Sequence, residues 1–163
     1  MKLLEGSTQA RGLRFAVIVA RFNDFVTDRL QAGALEALAA AGVSGDDVIV
    51  LKVPGSFELP LAARQAAESG RVDAVICLGC LIRGETPHFE YIASAVAHGI
   101  TEAASATGVP IAFGVLTTGS AEEALARAGA RSTNKGWEAA MAAVEMATVL
   151  KRLRQTAPPG IRV

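Results

Sequence analysis

The chain has 163 residues, of which 51% are hydrophobic, and its 16 basic and 16 acidic side chains cancel to a formal net charge of zero. This length fits one domain with a full hydrophobic core, and the lack of a basic excess argues against nucleic-acid binding. The mean hydropathy of +0.35 is high for a domain of this size. It predicts that apolar surface is buried between copies of the chain.

Apolar, β-rich runs alternate with helical patterns along the chain. The predicted strands are residues 15–20, 48–53, 74–82 and 111–116, and the predicted helices are residues 27–41, 57–69, 87–107, 121–128 and 135–154. Right-handed crossovers between these strands give a flavodoxin-like, three-layer α/β/α domain with a four-stranded parallel sheet.

The two ends of the chain lie outside this β-α repeat. Residues 1–13 form an N-terminal arm, for which we consider the alternative that it adds a strand to the sheet of a neighbouring subunit. Residues 155–163, which include two prolines and a glycine, are predicted to fray. The N-terminal apolar segment is too short for a signal peptide, and no run approaches the roughly 18 apolar residues of a membrane span. We therefore expect a cytoplasmic protein with no membrane partner.

Cys77 and Cys80 form a C-x-x-C pattern within the predicted third strand. Such a pair is either a redox motif or two packed thiols. Positions three apart on a strand point to opposite faces, whereas a redox pair normally opens a helix. The packed thiols are the better interpretation.

Ligands of open parallel sheets bind beyond the carboxyl ends of the strands. The polar turns at residues 21–23, 54–58, 82–88 and 117–120 all fall on that edge. In the third turn, Thr86 followed by Pro87 marks the N-cap and first turn of a helix, so His88 lies on that first turn. The unpaired N–H groups and the helix dipole there favour an anion and disfavour a protonated imidazole. His88 is therefore predicted to carry protons in its neutral form beside a phosphate-sized anion site.

Other common sites lack their sequence signatures. There is no G-x-G-x-x-G after a strand, no P-loop and no G-x-S-x-G, which argues against dinucleotide, P-loop nucleotide and common hydrolase sites. His88 and His98, ten positions apart on one helix, point in different directions. We expect neither a metal site nor a cofactor.

Several polar-turn residues also have an ordinary structural explanation. Phe22 at a strand end is more often core than a ligand stack. Ser56 and Glu58 suit a helix N-terminus, and Arg127 suits a helix C-terminus. A solvated surface position is the ordinary explanation for three further charged residues: Glu90, Lys135 and Glu138.

Six segments together resemble the lumazine synthase family, which catalyses the penultimate step of riboflavin biosynthesis. They are R-F-N at 21–23, V-P-G-S-F-E at 53–58, L-I-R-G-E-T-P-H-F-E-Y at 81–91, F-G-V-L-T-T at 113–118, A-R-A-G at 126–129 and N-K-G at 134–136. They occur in order and spacing between about residues 14 and 150, and their combination is highly specific.

The resemblance implies condensation of 5-amino-6-(D-ribitylamino)uracil with 3,4-dihydroxy-2-butanone 4-phosphate, giving 6,7-dimethyl-8-ribityllumazine, phosphate and water. It also implies a homopentamer with sites shared between neighbours, and association with riboflavin synthase. The short connection at residues 129–133 lacks the insertion often carried by relatives that stop at pentamers, which favours closure into a 60-subunit icosahedral shell.

By position, the resemblance assigns substrate contacts to Phe22, Asn23, Ser56, Phe57, Glu58, Cys80, Leu81, Ile82, Glu85, Thr86, Phe113, Arg127 and Lys135. It makes His88 the proton carrier. Phe22 would stack on the pyrimidine, residues 56–58 would hold the ribityl chain and ring, and the backbone of residues 80–82 would face the ring.

The remaining contacts concern the phosphorylated butanone and the neighbouring subunit. Glu85 and Thr86 would contact the butanone and Arg127 its phosphate, while Phe113 and Lys135 would reach the site of a neighbour. Because a carboxylate beside a phosphate is unfavourable, Glu85 would bind through its backbone N–H.

Two other functions remain open at this point. A non-catalytic flavin- or lumazine-binding module would use a stacking Phe22 but would not need Arg127 and His88 together. A shell-forming protein, with assembly as its main role, would keep its function when His88 is lost.

Overall fold

The computed structural model describes residues 1–156 and contains one four-stranded sheet. Its strands are β1 (Phe15–Ala20), β2 (Val48–Val53), β3 (Ala74–Ile82) and β4 (Ile111–Thr118). All neighbouring pairs are parallel, in the order β2-β1-β3-β4. The first three strands have the predicted bounds. β4 continues two residues further than predicted, because Thr117 and Thr118 remain paired with Leu81 and Ile82.

The helices are α1 (Asp24–Ala40), α2 (Leu59–Glu68), α3 (His88–Thr107), α4 (Ala121–Ala126) and α5 (Lys135–Thr156). Helix α1 begins three residues earlier than predicted, directly after Asn23. Helix α2 begins two residues later, because Ser56–Glu58 forms a 3-10 turn instead. Gln155 and Thr156, which we predicted to fray with the rest of the tail, lie at the end of α5. The rest of that tail, residues 157–163, lies outside the described residues.

Helices cover both faces of the sheet, which confirms the predicted three-layer fold. Val17 and Val19 of β1 lie in one core cluster with residues of α1 and α5. Ala16 and Ile18 lie in the other, with residues of α2 and α3. Every residue of β1 is fully buried, so its continuous apolar run reflects a strand covered on both sides.

The two thiols pack on opposite faces of β3, as predicted. Cys77 belongs to the cluster beneath α2 and α3, and Cys80 to the cluster beneath α1 and α5. Burial raises the pKa of Cys77 from 9.0 to about 12 and that of Cys80 from 9.0 to about 11, because a thiolate is poorly solvated in an apolar core.

These raised pKa values predict a loss of stability in alkali. Above pH 9 the unfolded chain releases both thiol protons while the folded chain keeps them. The free energy of unfolding should therefore fall as pH rises from about 9 to 11, by up to about 1.4 kcal/mol per pH unit for each thiol. Urea unfolding at pH 8, 9 and 10 measures this fall. A Cys77→Ala/Cys80→Ala variant should show a shallower slope, and equal slopes would contradict the prediction.

The N-terminal arm lies against its own chain. Residues 1–13 contain no strand. The backbone N–H of Ser7 donates to Thr148 Oγ1 at 2.8 Å, and Arg152 Nη1 donates to the carbonyl of Glu5 at 2.6 Å. Addition of this arm as a strand to the sheet of a neighbouring subunit stays a prediction. Within residues 1–156, no helix is long and apolar enough to cross a membrane.

Candidate active site

A cavity of about 480 Å³ lies beyond the carboxyl ends of β1, β2 and β3. Its lining includes most of the predicted contact residues: Phe22, Asn23, Ser56, Phe57, Glu58, Leu81, Ile82, Thr86 and His88. We call this the His88 cavity. Three separate segments meet there because parallel strands end at the same edge of a sheet.

Asn23 joins the ends of two strands. It adopts a left-handed backbone with φ 62°, and within residues 1–156 no other non-glycine residue has a positive φ. Its Nδ2 donates to the carbonyl of Cys80 at 2.8 Å, which connects the turn after β1 to β3. Asparagine tolerates this conformation better than most residues. The side-chain nitrogen of this predicted contact residue therefore already donates a hydrogen bond within the fold.

Two aromatic rings of the His88 cavity are open to solvent. Phe22 is 69% exposed and Phe57 is 62% exposed, so the ordinary explanation of Phe22 as a core residue does not hold. The turn that carries Phe22 is fixed by its backbone N–H, which donates to the carbonyl of Pro54 at 3.0 Å. Exposed rings on a fixed backbone suit a planar heterocycle, which stacks through apolar contact.

Glu58 has a structural role at a helix start, as its position suggests, but Ser56 is not the N-cap of the 3-10 turn, which is Gly55. Glu58 Oε2 accepts a hydrogen bond from the backbone N–H of Gly55 at 3.0 Å, as in a capping box. Ser56 is buried and packs on Gly79 of β3, where an added Cβ would lie 2.5 Å from Ser56 Oγ. These contacts hold the turn in place while both residues also line the His88 cavity.

The first turn of α3 is open. Helix α3 begins at His88 with Pro87 as its N-cap, and no side chain of the described residues caps it. The prediction that Thr86 is the N-cap is therefore wrong. The uncapped N–H groups and the positive end of the helix dipole remain available to an anion beside His88. Glu85 is exposed and lies outside the lining of the His88 cavity.

Three further predicted residues lie in a second cavity of about 370 Å³, between β4 and α5, whereas Cys80 lines neither cavity. We call this second cavity the Arg127 cavity, and its lining includes Phe113, Arg127, Lys135 and Glu138. Arg127 Nη1 donates to the carbonyl of Glu123 at 3.1 Å, and Lys135 Nζ lies 2.6 Å from Glu138 Oε2. Within one chain, these residues do not line the His88 cavity.

A family model described as 6,7-dimethyl-8-ribityllumazine synthase matches residues 12–151. The chain belongs to this family. A protein of Syntrophus aciditrophicus (strain SB) with that name is 54% identical over 149 residues, which cover 91% of this chain and 97% of the relative. One of Desulfatibacillum aliphaticivorans, also so named, is 48% identical over 153 residues, which cover 94% and 99%. The resemblance found in the six segments is confirmed.

Within this lumazine synthase fold, Arg83 and Phe89 are two residues near the site for which the sequence patterns indicated no role. The Arg83 guanidinium lies 5.0 Å from the centroid of the Phe89 ring and 2.7 Å from the Glu90 carboxylate. These contacts link both ends of the turn between β3 and α3, and Phe89 also lines the His88 cavity. A sequence signal for these contacts exists: Arg83 precedes an aromatic residue, Phe89, by six positions and an acidic residue, Glu90, by seven, with a turn between them.

Proposed function

We propose that this chain is a 6,7-dimethyl-8-ribityllumazine synthase, which joins 5-amino-6-(D-ribitylamino)uracil and 3,4-dihydroxy-2-butanone 4-phosphate. The observation that carries the proposal is that His88, on an uncapped helix start, shares one cavity with the exposed rings of Phe22 and Phe57. Membership of the family and identities near one half to similarly named proteins support it.

The pyrimidine stacks on Phe22 in this proposal. Its ribityl chain lies along the 3-10 turn of residues 56–58, and its ring faces the backbone at the end of β3. The apolar walls bind the ring, while the turn supplies hydrogen-bonding groups that orient the hydroxyls. The butanone lies between this ring and the first turn of α3, with Thr86 and the backbone N–H of Glu85 beside it.

The chemistry requires proton transfers and little else from side chains. Imine formation, loss of phosphate and ring closure each move protons between nitrogen, carbon and oxygen, and His88 is the imidazole in reach. Both substrates are intrinsically reactive, so holding them together supplies much of the rate enhancement. The phosphate lies at the positive end of α3 and meets a cation.

That cation comes from a neighbouring subunit in our proposal. Phe113, Arg127 and Lys135 line a cavity separate from the His88 cavity of the same chain. A head-to-tail contact places the Arg127 cavity of one copy against the His88 cavity of the next, and such contacts close into rings. We propose a pentamer, its closure into a shell, and association with riboflavin synthase as further properties.

Incubation of the purified protein with both substrates tests the activity. We expect the fluorescent lumazine to form with release of phosphate. A flavin- or lumazine-binding module would bind the product without forming it, and a protein built only for assembly would do neither.

We expect His88→Ala to fold and assemble normally but to turn over about tenfold more slowly, below the usual range for general acid–base catalysis because proximity contributes so much here. His88 is exposed, so its loss leaves no hole in the core. Steady-state kinetics measures the change, and His98→Ala is the matched control on the same helix. Wild-type turnover in His88→Ala would remove it from the mechanism.

A further inference from the structure

Asn134 is a buried amide that joins three segments of the chain. It is only 5% exposed. Its Nδ2 donates to the carbonyl of Arg29 in α1 at 3.1 Å and to that of Gly129 at 3.0 Å. Its Oδ1 accepts from the backbone N–H of Gly136 at 2.9 Å and of Trp137 at 3.1 Å. The amide thus caps α5 and holds α1 and the loop before α5 against it.

The surroundings of Asn134 leave no space for larger neighbours. A Cβ on Gly33 of α1 would collide with the Asn134 side chain, and one on Gly136 would collide with the carbonyl of Leu30. Helices α1 and α5 therefore pack closely where the amide bridges them. Hydrogen bonds in such a buried, tightly packed environment restrict the geometry of their partners more strongly than hydrogen bonds exposed to solvent do.

The backbone around Asn134 brings two cationic residues, Arg127 and Lys135, close together. Asn134 forms an antiparallel bridge with Ala128, and the backbone N–H of Lys135 donates to the carbonyl of Arg127 at 2.8 Å. Arg127 and Lys135 are therefore neighbours across this bridge, and both line the Arg127 cavity. Arg127 donates to a neutral carbonyl, that of Glu123, so its charge remains available to an anion.

We propose that Asn134 is a positioning residue: by holding Gly129 and the start of α5 together, it fixes the spacing of Arg127 and Lys135 for the substrate phosphate. This inference rests on the proposed function. It assigns to the N-K-G segment a role in selecting the phosphorylated substrate, although Asn134 itself touches no substrate.

Asn134→Ser is the main test, since serine keeps a good N-cap and adds no charge but is too short to reach both carbonyls. We expect the KM for the butanone phosphate to rise about tenfold and competition by inorganic phosphate to weaken equally. The KM for the pyrimidine should change less than about twofold, because that ring binds in the other cavity.

Thr148→Val is the matched control on α5. Thr148 is buried and its hydroxyl bonds the N-terminal arm and the preceding turn, so its loss should lower the melting temperature without changing either KM. If Asn134→Ser behaves like this control, the proposal is wrong. Should Asn134→Ser not fold, Asn134→Thr, which also keeps an N-cap hydroxyl and adds no charge, is compared with the same control by the same criteria.

Arg127→Ala separates this inference from the function on which it rests. If Arg127→Ala raises the KM for the butanone phosphate and Asn134→Ser does not, only the positioning role fails. If neither variant changes that KM, the phosphate contact in the proposed function fails together with the positioning role.

Discussion

We expect Arg127→Ala to raise the apparent KM for the butanone phosphate by roughly 10- to 150-fold and to leave the KM for the pyrimidine nearly unchanged. A charge-assisted contact of about 1.5–3 kcal/mol is lost, and only one of the two substrates carries a phosphate. The side chain is exposed in the Arg127 cavity and bonds one backbone carbonyl, so we expect little loss of stability. Steady-state kinetics with each substrate varied in turn measures the difference.

Arg131→Ala is the matched control for this experiment. Arg131 is an exposed arginine in the following loop, but it stacks on Trp137 at 3.9 Å and pairs with Glu36 at 3.4 Å. Its removal also takes one positive charge from this region, so it corrects for general electrostatic attraction of phosphate. Equal increases in both KM values for Arg127→Ala, or a lower melting temperature with normal kinetics, would return Arg127 to its ordinary role at the end of α4.

We also expect a large recovery of activity when two variants, each with a different damaged cavity, assemble into mixed oligomers. One variant, Phe22→Ala/His88→Ala, damages the His88 cavity, and another, Phe113→Ala/Arg127→Ala, damages the Arg127 cavity. Each should be weakly active alone. In a ring assembled at random from equal amounts of both, each site combines the His88 cavity of one subunit with the Arg127 cavity of the next. Each of these cavities is intact in half of the subunits, so about a quarter of the interfaces should pair two intact cavities.

Refolding or coexpressing the two variants together and measuring lumazine formation tests this recovery. Mixing the two variants after each has assembled separately serves as the control, since such oligomers contain no mixed interfaces and give only the average of the two activities. Light scattering should show a particle of at least about five chain masses in every sample. Activity no greater than the average of the two variants would mean that each site lies within one chain, and a monomer or dimer would exclude the ring.

Much of the fold follows from local sequence. The apolar run of β1 is long enough for a strand and too short for most helices, so its bounds are predicted correctly. The end of β4 was less predictable, because the polar Thr117 and Thr118 stay in the sheet only through their pairing with β3. Likewise, the start of α1 depends on the left-handed Asn23, whose conformation is held by a hydrogen bond to a residue 57 positions away.

The sequence by itself determined the parallel α/β sheet, the edge at which polar turns gather, the place of His88 on the first turn of a helix, and the family. Each of these follows from side-chain patterns within a few residues or from short segments in a fixed order. Only the tertiary structure decided that Phe22 is exposed, that Arg127 lies apart from His88 in the same chain, and that Asn134 joins three segments. Exposure and proximity depend on how helices pack across the sheet, and distant residues meet there without leaving a periodic signal in the chain.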